Sequence, residues 1–286
     1  QGHRPALHPG HHPANYPLVF AHYEGSKLYN WSPLIYAYQQ ENIALTGKGT
    51  LDGQADKNNW WNWSRTVNPD GTITKPGNND VKLLRKMTDN GTPAEERIFG
   101  EGHYLRPNFY QPIECTNVLI EGVTIANSPM WELNPVLCTN FTARGVTIDT
   151  HGYNNDGCDP ENCNYVLIEN CFFNTGDDCI AVKAGRNRDG RELGEAGHPT
   201  QNLIIRNNIF ADGPRRHRLR QRDERRHQEP VRRQQHLRQP HSELRPALQD
   251  QRRARRRCGE HLSAQLQGQI RRKRRRPRHH AVRCGP

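Results

Sequence analysis

The last quarter of the chain has no Phe, Trp or Tyr residue. Residues 214–286 instead contain 23 Arg and one Lys against six acidic residues, which gives this segment a net charge of +18. A segment so poor in large apolar side chains cannot bury enough surface to offset the entropy lost on ordering, which excludes a second globular core. We therefore predict that residues 214–286 form an Arg-rich, disordered tail.

Three further features narrow the class of protein. The chain has no run of about 18 apolar residues, so a transmembrane helix is excluded and we expect no membrane partner. It starts at Gln1 without an initiator Met or an apolar leader, from which we expect an incomplete N-terminus. Its eight Cys residues are too sparse for a disulfide scaffold.

Residues 1–213 have the opposite character. They contain 17 basic and 24 acidic residues, a net charge of −7, together with every Phe, Trp and Tyr of the chain. About 210 residues suffice for one sizeable hydrophobic core. The net charge of +11 for the whole chain thus describes no single domain, although on its own it would favour binding to nucleic acid.

A sequence pattern recurs in the middle of the acidic part. Its first copy, C-T-N-V-L-I-E-G-V-T-I, starts at Cys115, and later copies start at Cys138, Cys163 and Thr200, with steps of 23, 25 and 37 residues. Each copy alternates apolar and polar residues between Asn and Gly, the pattern of a short strand bounded by turns, and a similar strand pattern starts at Glu41. Repeats of this length predict an all-β fold, a parallel β-helix with three short strands per coil. The three Cys residues share one repeat position, so we expect them to stack as an interior ladder.

Two segments depart from the repeat. We expect residues 184–199, rich in Gly, Arg and Asp, to project as a loop from one corner of the coils. Residues 54–97 form a longer excursion, which carries Trp60, Trp61 and Trp63. These Trp side chains either pin an irregular loop to the wall of the coils or offer a stacking platform for a sugar, and we favour the first interpretation.

Three acidic residues stand out near the centre of the chain. Asp156 lies in N-N-D-G-C-D-P, and Asp177 and Asp178 lie in N-T-G-D-D-C, about one coil further on. The two motifs would then occupy adjacent rungs, whose strands are about 4.8 Å apart. Neighbouring residues of a strand point to opposite faces, so Asp177 and Asp178 can share a cleft only where the backbone bends, and Gly176 permits that bend.

Converging carboxylates have a specific chemical use. They raise each other's pKa, and a protonated acid beside an ionised one is what cleavage of a glycosidic bond requires. The same residues are also compatible with solvated corners of the β-helix or with a calcium site. A zinc site is disfavoured, because no tight C-x₂-C pair occurs among Cys158, Cys163, Cys171 and Cys179.

The acidic motifs resemble those of a known enzyme family. The stretches N-N-D-G-C-D-P-E-N-C and T-G-D-D-C-I-A-V-K-A-G-R, with R-P-N-F-Y-Q-P-I-E-C before them, resemble glycoside hydrolase family 28, the polygalacturonases, in its bacterial branch. The resemblance spans residues 16–213 and implies a right-handed parallel β-helix. It also implies hydrolysis of the α-1,4 links between galacturonate units of pectin, with inversion and with no metal or cofactor. We further expect a monomer that is secreted or periplasmic, with a pectic polysaccharide as its substrate.

The resemblance also implies roles for individual residues. Asp177 matches the general acid of the family, and Asp178 matches the acid that joins Asp156 in activating a water molecule. Asn155 stands where the family's N-T-D motif has Thr. Asp159, three residues after Asp156, has no catalytic role in that pattern, and we interpret it as structural.

Two basic residues follow the second acidic motif. Lys183 and Arg186 are placed where they could bind a carboxylate of the substrate. They could equally lie in a solvated corner of the coils. The sequence favours neither interpretation, so both residues remain candidate substrate-binding residues.

Two motifs that the family implies are absent after Gly213. They are G-H-G, whose His lies beside the catalytic acids, and R-[IF]-K, whose basic side chains bind the galacturonate carboxylate. One extra base after the Gly213 codon, with synonymous codons chosen freely, restores both in order as D-G-H-G-G and R-F-K. We therefore predict that residues 214–286 are a frameshift product, that the β-helix of residues 1–213 ends at an uncapped rung, and that the chain as it stands is an impaired enzyme.

Three other functions stay open. One is a different hydrolase of the same family that acts on rhamnogalacturonan, and another is a β-helix that binds pectin without cleaving it. The third is nucleic-acid binding through the Arg-rich tail, since runs of Arg neutralise phosphates. Such binding would be strong and salt-sensitive, but we expect no evolved nucleic-acid partner because the tail is predicted to be out of frame.

Overall fold

The computed structural model of the chain describes residues 16–195, 198–211, 219–222 and 235–236. Its strands are β1 (Leu18–Tyr23), β2 (Ser26–Trp31), β3 (Ile35–Tyr38), β4 (Glu41–Thr46), β5 (Thr50–Asp52), β6 (Thr66–Val67), β7 (Ile73–Thr74), β8 (Ile98–Phe99), β9 (Tyr110–Ile113), β10 (Thr116–Glu121), β11 (Thr124–Ala126), β12 (Thr139–Arg144), β13 (Thr147–Thr150), β14 (Asn164–Glu169), β15 (Phe172–Thr175), β16 (Ile180–Lys183), β17 (Gln201–Arg206), β18 (Ile209–Phe210), β19 (Leu219–Arg222) and β20 (Gln235–His236). Its helices are α1 (Trp60–Ser64), α2 (Gly77–Asp89) and α3 (Asn187–Glu195), and a 3₁₀ turn covers Ala94–Glu96.

The repeats stack as parallel strands in two long sheets. The first sheet has the order β4, β10, β12, β14, β17 and β20, and the second has the order β5, β11, β13, β15 and β18. In the first sheet Thr116 pairs with Glu41 and Thr139, and Asn164 pairs with Thr139 and Gln201. This register confirms the steps predicted from the repeat, and it confirms that the strand from Glu41 belongs to the same stack.

The third side of each coil is held by shorter pairings. Strand β3 pairs with β9, and β16 pairs with β19. Single parallel bridges join Tyr110 to Leu133, Leu133 to Cys158, and Cys158 to Ile180. Each coil therefore has three strand-like sides, and crossovers between parallel strands are right-handed in nearly all proteins. The described coils form a right-handed parallel β-helix, as the repeat predicted for the parallel β-helix and the family resemblance implied for its hand.

The Asn residues at the start of four strands have a conformational role. Asn42, Asn117, Asn140 and Asn202 have φ values of 56°, 58°, 60° and 55°, in the left-handed region that Asn adopts more readily than most residues. The side-chain amide of Asn140 donates a hydrogen bond to Asn117, and that of Asn117 donates to Asn42, each at 2.8 Å. These Asn residues thus allow the left-handed conformation at the start of four strands and link neighbouring coils, whereas Tyr165 adopts this conformation in the repeat that starts at Cys163.

The interior of the coils is a continuous apolar core. Phe141 and Phe173 are completely buried within it. Cys115, Cys138 and Cys163 are buried free thiols at equivalent positions of successive coils, which confirms the predicted ladder. Burial of a large apolar side chain stabilises a fold by about 1.5–3 kcal/mol, so the stacked interior is a principal source of stability.

A second layer covers one side of the coils. Strands β1 and β2 form an antiparallel hairpin, and β8 pairs in parallel with β2. Leu28 of this hairpin, Leu84 of α2 and Phe99 of β8 form an apolar cluster with Met130 and Trp131 of the coils. The excursion of residues 54–97 therefore folds in part as helix instead of an irregular loop.

Residues 184–199 are not the projecting loop that the sequence predicted. They contain helix α3, whose buried Asp189 pairs with Arg97 at 2.5 Å and accepts a hydrogen bond from the Lys27 backbone N–H at 2.9 Å. These contacts tie α3 to the hairpin layer. The prediction failed because the segment is polar, and a polar helix held by ion pairs leaves no apolar repeat in the sequence.

Little of the predicted tail is described. Strand β19 continues the third side of the coils beside β16, and β20 continues the first sheet beside β17. The division at Gly213 and the other residues of 212–286 lie outside the described residues, so the disordered tail stays a prediction. In the part of the chain that the structure describes, none of the helices combines the length and apolar character of a membrane span.

Candidate active site

The two acidic motifs lie on adjacent rungs, as their spacing predicted. The Gly157 N–H donates a hydrogen bond to the Asp178 carbonyl oxygen at 3.0 Å, and the Asp177 N–H donates to the Asn155 carbonyl oxygen at 3.3 Å. These bonds place Asp156 next to Asp177 and Asp178. We call these three residues the acidic triad.

The backbone bends where Asp177 and Asp178 follow each other. Residues 176 and 177 form a bend just before β16, which confirms the expected departure from regular strand geometry. A Cβ atom at Gly176 would clash with the carbonyl oxygen of Gly152 in the neighbouring turn. Gly176 is therefore required by the close approach of two backbones.

Asp156 is a buried member of the triad with a raised pKa. Its side chain is 6% exposed, and its Oδ2 atom lies 3.2 Å from the Lys183 Nζ atom. Burial raises the pKa of Asp156 to about 7, the Lys183 ammonium opposes this rise, and the charges of Asp177 and Asp178 add to it. Asp178 is also buried, whereas Asp177 is half-buried. The triad therefore contains a carboxyl group that changes protonation near neutral pH.

Lys183 is the counter-ion of two buried carboxyl groups, those of Asp156 and Asp159. Its Nζ atom lies 3.3 Å from Asp159 Oδ1 and 4.3 Å from the centre of the Trp131 ring, in addition to its contact with Asp156. Burial of the ammonium lowers its pKa, but Asp159 and Asp156 outweigh this effect and raise the pKa overall. Lys183 thus stays charged and holds two buried carboxyl groups in place.

Arg186 also has an internal partner. Its Nη1 atom lies 2.7 Å from Glu24 Oε2, and the same oxygen lies 3.1 Å from Arg85 Nη2. Arg186 therefore links the segment after β16 to the hairpin turn between β1 and β2. The proposed contact of Lys183 and Arg186 with a substrate carboxylate stays a prediction.

Glu132 is a buried acid that the sequence did not single out. It lies one rung before Asp156, and its backbone N–H donates to the Asp156 carbonyl oxygen at 3.0 Å. Neither carboxyl oxygen of Glu132 has a hydrogen-bond partner among the described residues. Burial raises its pKa well above the usual range, and Asp156 and Asp159 raise it further. Its position about one coil before Asp156 is the signal that could have revealed it.

The substitution Glu132→Gln should stabilise the protein at neutral pH. The folded-state pKa of Glu132 lies above its unfolded value, so the folded state binds more protons and this carboxyl group lowers stability as pH rises above about 4.5. We expect the free energy of unfolding to increase by about 1 kcal/mol or more at pH 7.5 and to change little at pH 4.5. Urea unfolding at both pH values measures this difference.

The exposed Glu41 offers a matched control for this experiment. The Glu41→Gln variant should unfold like the parent at both pH values, because surface substitutions of this kind stay within about 0.5 kcal/mol. A Glu132→Gln variant that is less stable than the parent at pH 7.5 would show that the carboxylate stabilises the fold, contrary to our expectation.

The Trp residues of the excursion divide into two groups. Trp60 is buried, and the Trp61 Nε1–H donates to the Ser128 carbonyl oxygen at 2.9 Å. The Trp61 side chain pins the excursion to the coils, as the favoured interpretation predicted, whereas Trp60 packs against Trp63 within the excursion. Trp63 instead faces a cavity. Within the described ranges, no group of three or more His, Cys, Asp or Glu residues has the geometry of a metal site.

Comparison with known proteins finds similar sequences in one enzyme family. Residues 99–213 match the model of the family described as glycosyl hydrolases family 28. The chain is 36% identical over 180 residues to a probable polygalacturonase of Vitis vinifera, in an alignment that covers 62% of this chain and 29% of that protein. It is 29% identical over 129 residues to endopolygalacturonase I of Aspergillus aculeatus, with 40% of this chain and 34% of that protein covered.

A solved structure extends the comparison to three dimensions. The hyperthermoactive exopolygalacturonase from Thermotoga maritima matches with a TM-score of 0.65 and 48% sequence identity, over 70% of this chain and 45% of that chain. The chain therefore spans less than half the length of these relatives. The matched segment includes the acidic triad and the rungs that hold it. The segment that holds the acidic triad is therefore similar in sequence and fold to glycosyl hydrolases family 28.

Proposed function

We propose that this protein is a polygalacturonase, a glycosidase that hydrolyses the α-1,4 links between galacturonate units of pectin with inversion. The observation that carries this proposal is the convergence of three carboxyl groups, Asp156, Asp177 and Asp178, from two adjacent rungs. The match of residues 99–213 to the family model and the names of the relatives support the same substrate class. Such a substrate lies outside the cytoplasm, so we further propose that the protein is secreted or periplasmic and acts as a monomer.

In the proposed mechanism, one acid donates a proton while the others accept one. Asp177 protonates the oxygen of the scissile glycosidic bond as the leaving group departs. Asp156 and Asp178 draw a proton from a water molecule, which attacks the anomeric carbon from the opposite face and inverts its configuration. Lys183 favours the ionised form of Asp156, which this base requires.

We also propose that residues 214–286 are read out of frame. The restored frame would supply a His beside the triad and the R-F-K motif, whose basic side chains would bind the substrate carboxylate. Both groups would stabilise charge during bond cleavage. The chain as it stands is then an impaired version of the enzyme. Nucleotide sequencing across the Gly213 codon tests this, because nucleotides that do not permit the shifted frame would contradict it.

The activity itself is tested by measuring reducing ends released from polygalacturonate. We expect the frame-restored chain to hydrolyse this polymer and the present chain to be at least about 10²-fold slower, the scale on which loss of acid–base or electrostatic groups acts. Rhamnogalacturonan serves as the comparison substrate, and faster cleavage of it would favour the other activity of the family. Binding of polygalacturonate by a well-folded restored chain without any cleavage would overturn the proposal.

A further inference from the structure

Asn155 immediately precedes Asp156 and is completely buried. It lies in a corner of the coils where neither residues 151–157 nor residues 127–132 of the rung before them form a strand. Buried backbone carbonyl groups in such a corner need hydrogen-bond donors from elsewhere, because no sheet ladder supplies them. The side chain of Asn155 meets this need.

The amide of Asn155 ties this corner to the rung before it. Its Nδ2 atom donates hydrogen bonds to the carbonyl oxygens of Ser128 at 3.0 Å and Met130 at 2.6 Å, and both of these residues are buried. The Thr150 hydroxyl donates to its Oδ1 atom at 3.3 Å. A side-chain amide has two N–H groups, whereas a hydroxyl, the group of the Thr in the N-T-D motif, donates only one bond. Asn155 therefore satisfies two buried carbonyl groups that a Thr side chain could not satisfy together.

The backbone of Asn155 ties the same corner to the rung after it. Its carbonyl oxygen accepts a hydrogen bond from the Asp177 N–H at 3.3 Å. In the next residue, the Asp156 carbonyl oxygen accepts the Glu132 N–H at 3.0 Å. Asn155 thus lies between two members of the acidic triad in this series of hydrogen bonds. A displacement of Asn155 would change the separation of Asp156 and Asp177.

Trp61 of α1 shares one of the carbonyl groups that Asn155 binds. The Trp61 Nε1–H donates to the Ser128 carbonyl oxygen at 2.9 Å, so this oxygen accepts bonds from both side chains. Gly152 permits their close approach, because a Cβ atom there would clash with Asn155 Oδ1 and with the Trp61 ring. The excursion of residues 54–97 therefore supports the corner that holds Asp156.

We propose that Asn155 is a positioning residue, which fixes the separation of Asp156 and Asp177. Inverting hydrolysis requires room for a water molecule between the acid and the base, at a separation of about 6.5–9.5 Å. A misplacement of about 1 Å can slow such a reaction about 10²-fold. Asn155 acts through the two acids, because its own side chain is buried. The inference rests on the proposed function for the reaction that the acids perform.

Steady-state kinetics of the frame-restored chain on polygalacturonate test this inference. Asn155→Ala should lower kcat at least about tenfold and change KM by less than about threefold, because the acids are misplaced while the surfaces that bind the polymer stay in place. Asn155→Thr keeps one donor and should lower kcat by a smaller factor. Trp61→Phe keeps an aromatic ring but loses the N–H, and should also have a smaller effect because the bond from Asn155 to Ser128 remains.

Asn30 offers a matched control for Asn155. It is a buried residue of β2, and its Nδ2 atom donates to the Leu105 carbonyl oxygen at 3.2 Å, outside the two acidic rungs. Asn30→Ala loses a buried bond of the same kind and should keep kcat within about twofold of the parent. Equal losses of kcat in Asn30→Ala and Asn155→Ala would overturn the inference, because both would then act through stability alone. A folded Asn155→Ala variant with the kcat of the parent would overturn it as well.

Amide hydrogen exchange of the present chain gives a readout that needs no turnover. The Asp177 N–H, which donates to the Asn155 carbonyl oxygen, should exchange about tenfold faster in Asn155→Ala than in the parent. In Asn30→Ala its exchange should stay within about twofold of the parent. Unchanged exchange in Asn155→Ala would overturn the inference.

Asn155→Thr keeps the test decisive if Asn155→Ala fails to fold. It should show a reduced kcat and faster exchange of the Asp177 N–H, and the parent's values for both would overturn the inference. A frame-restored parent that hydrolyses no polygalacturonate would defeat the proposed function alone, and the exchange experiment would then decide the inference. Hydrolysis by that parent, with unchanged kcat in Asn155→Ala, would defeat only the inference.

Discussion

The Asp177→Asn variant of the frame-restored chain should hydrolyse polygalacturonate at least about 10³-fold more slowly than its parent. Asn has nearly the shape of Asp but cannot donate a proton to the glycosidic oxygen. Asp177 is half-buried in a bend, so the substitution should change the melting temperature little. The release of reducing ends, followed beside a thermal unfolding curve, measures both effects.

A nearby acid offers a matched control for this experiment. Asp149 is 56% exposed at its side chain, in strand β13, and lies outside the triad. Asp149→Asn should keep the parent's activity within about twofold, since exposed groups away from the chemistry contribute little. If Asp177→Asn retained more than a tenth of the parent's activity, Asp177 would not be the general acid.

The Lys183→Met variant should lose about 3–5 kcal/mol of stability at pH 8 and clearly less at pH 5. Lys183 is the cation that compensates Asp156 and Asp159, whose side chains are 6% and 0% exposed. Burial raises the pKa of both carboxyl groups, that of Asp156 to about 7. At pH 5 both are protonated in the folded variant and need no counter-ion, whereas at pH 8 they must stay protonated at a free-energy cost or ionise without a partner.

Urea unfolding of the present chain at the two pH values measures this loss. Lys183→Arg keeps the positive charge and should lose less stability than Lys183→Met at pH 8. Lys48→Met removes an exposed lysine and should change the stability by no more than about 0.5 kcal/mol. An equal loss for Lys183→Met at pH 5 and pH 8 would mean that the side chain acts through packing alone.

The coils could be predicted because the same residue types recur at equivalent positions of successive repeats. Cys recurs at positions 115, 138 and 163, each with an Asn residue nearby. The paired strands are offset by the same numbers of residues. The approach of Asp156 to Asp177 followed from the same step. Stacking of this kind converts separation along the chain into distance between rungs, so local patterns suffice to predict it.

The sequence pattern does not predict helix α2. Its buried residues are Gly77, Asp80, Leu84 and Thr88, and Leu84 is the one large apolar side chain among these four. Asp80 is held there by His103 at 2.7 Å and by the Tyr104 backbone N–H at 2.7 Å. These partners lie more than twenty residues away, and a periodic pattern of apolar residues cannot reveal them.

The sequence by itself determined the β-helical coil, the acidic triad and the opposite charges of the two parts of the chain. Only the tertiary structure decided that Lys183 compensates Asp156 and Asp159. It also decided that the Asn155 side chain is tied to the rung before its own. The physical reason is that the role of a charged or polar side chain depends on its burial and on its partners. Residue type fixes the charge and the donors of a side chain, but folding brings Lys183 to Asp156 across 27 residues. It likewise brings Asn155 to Met130 across 25 residues.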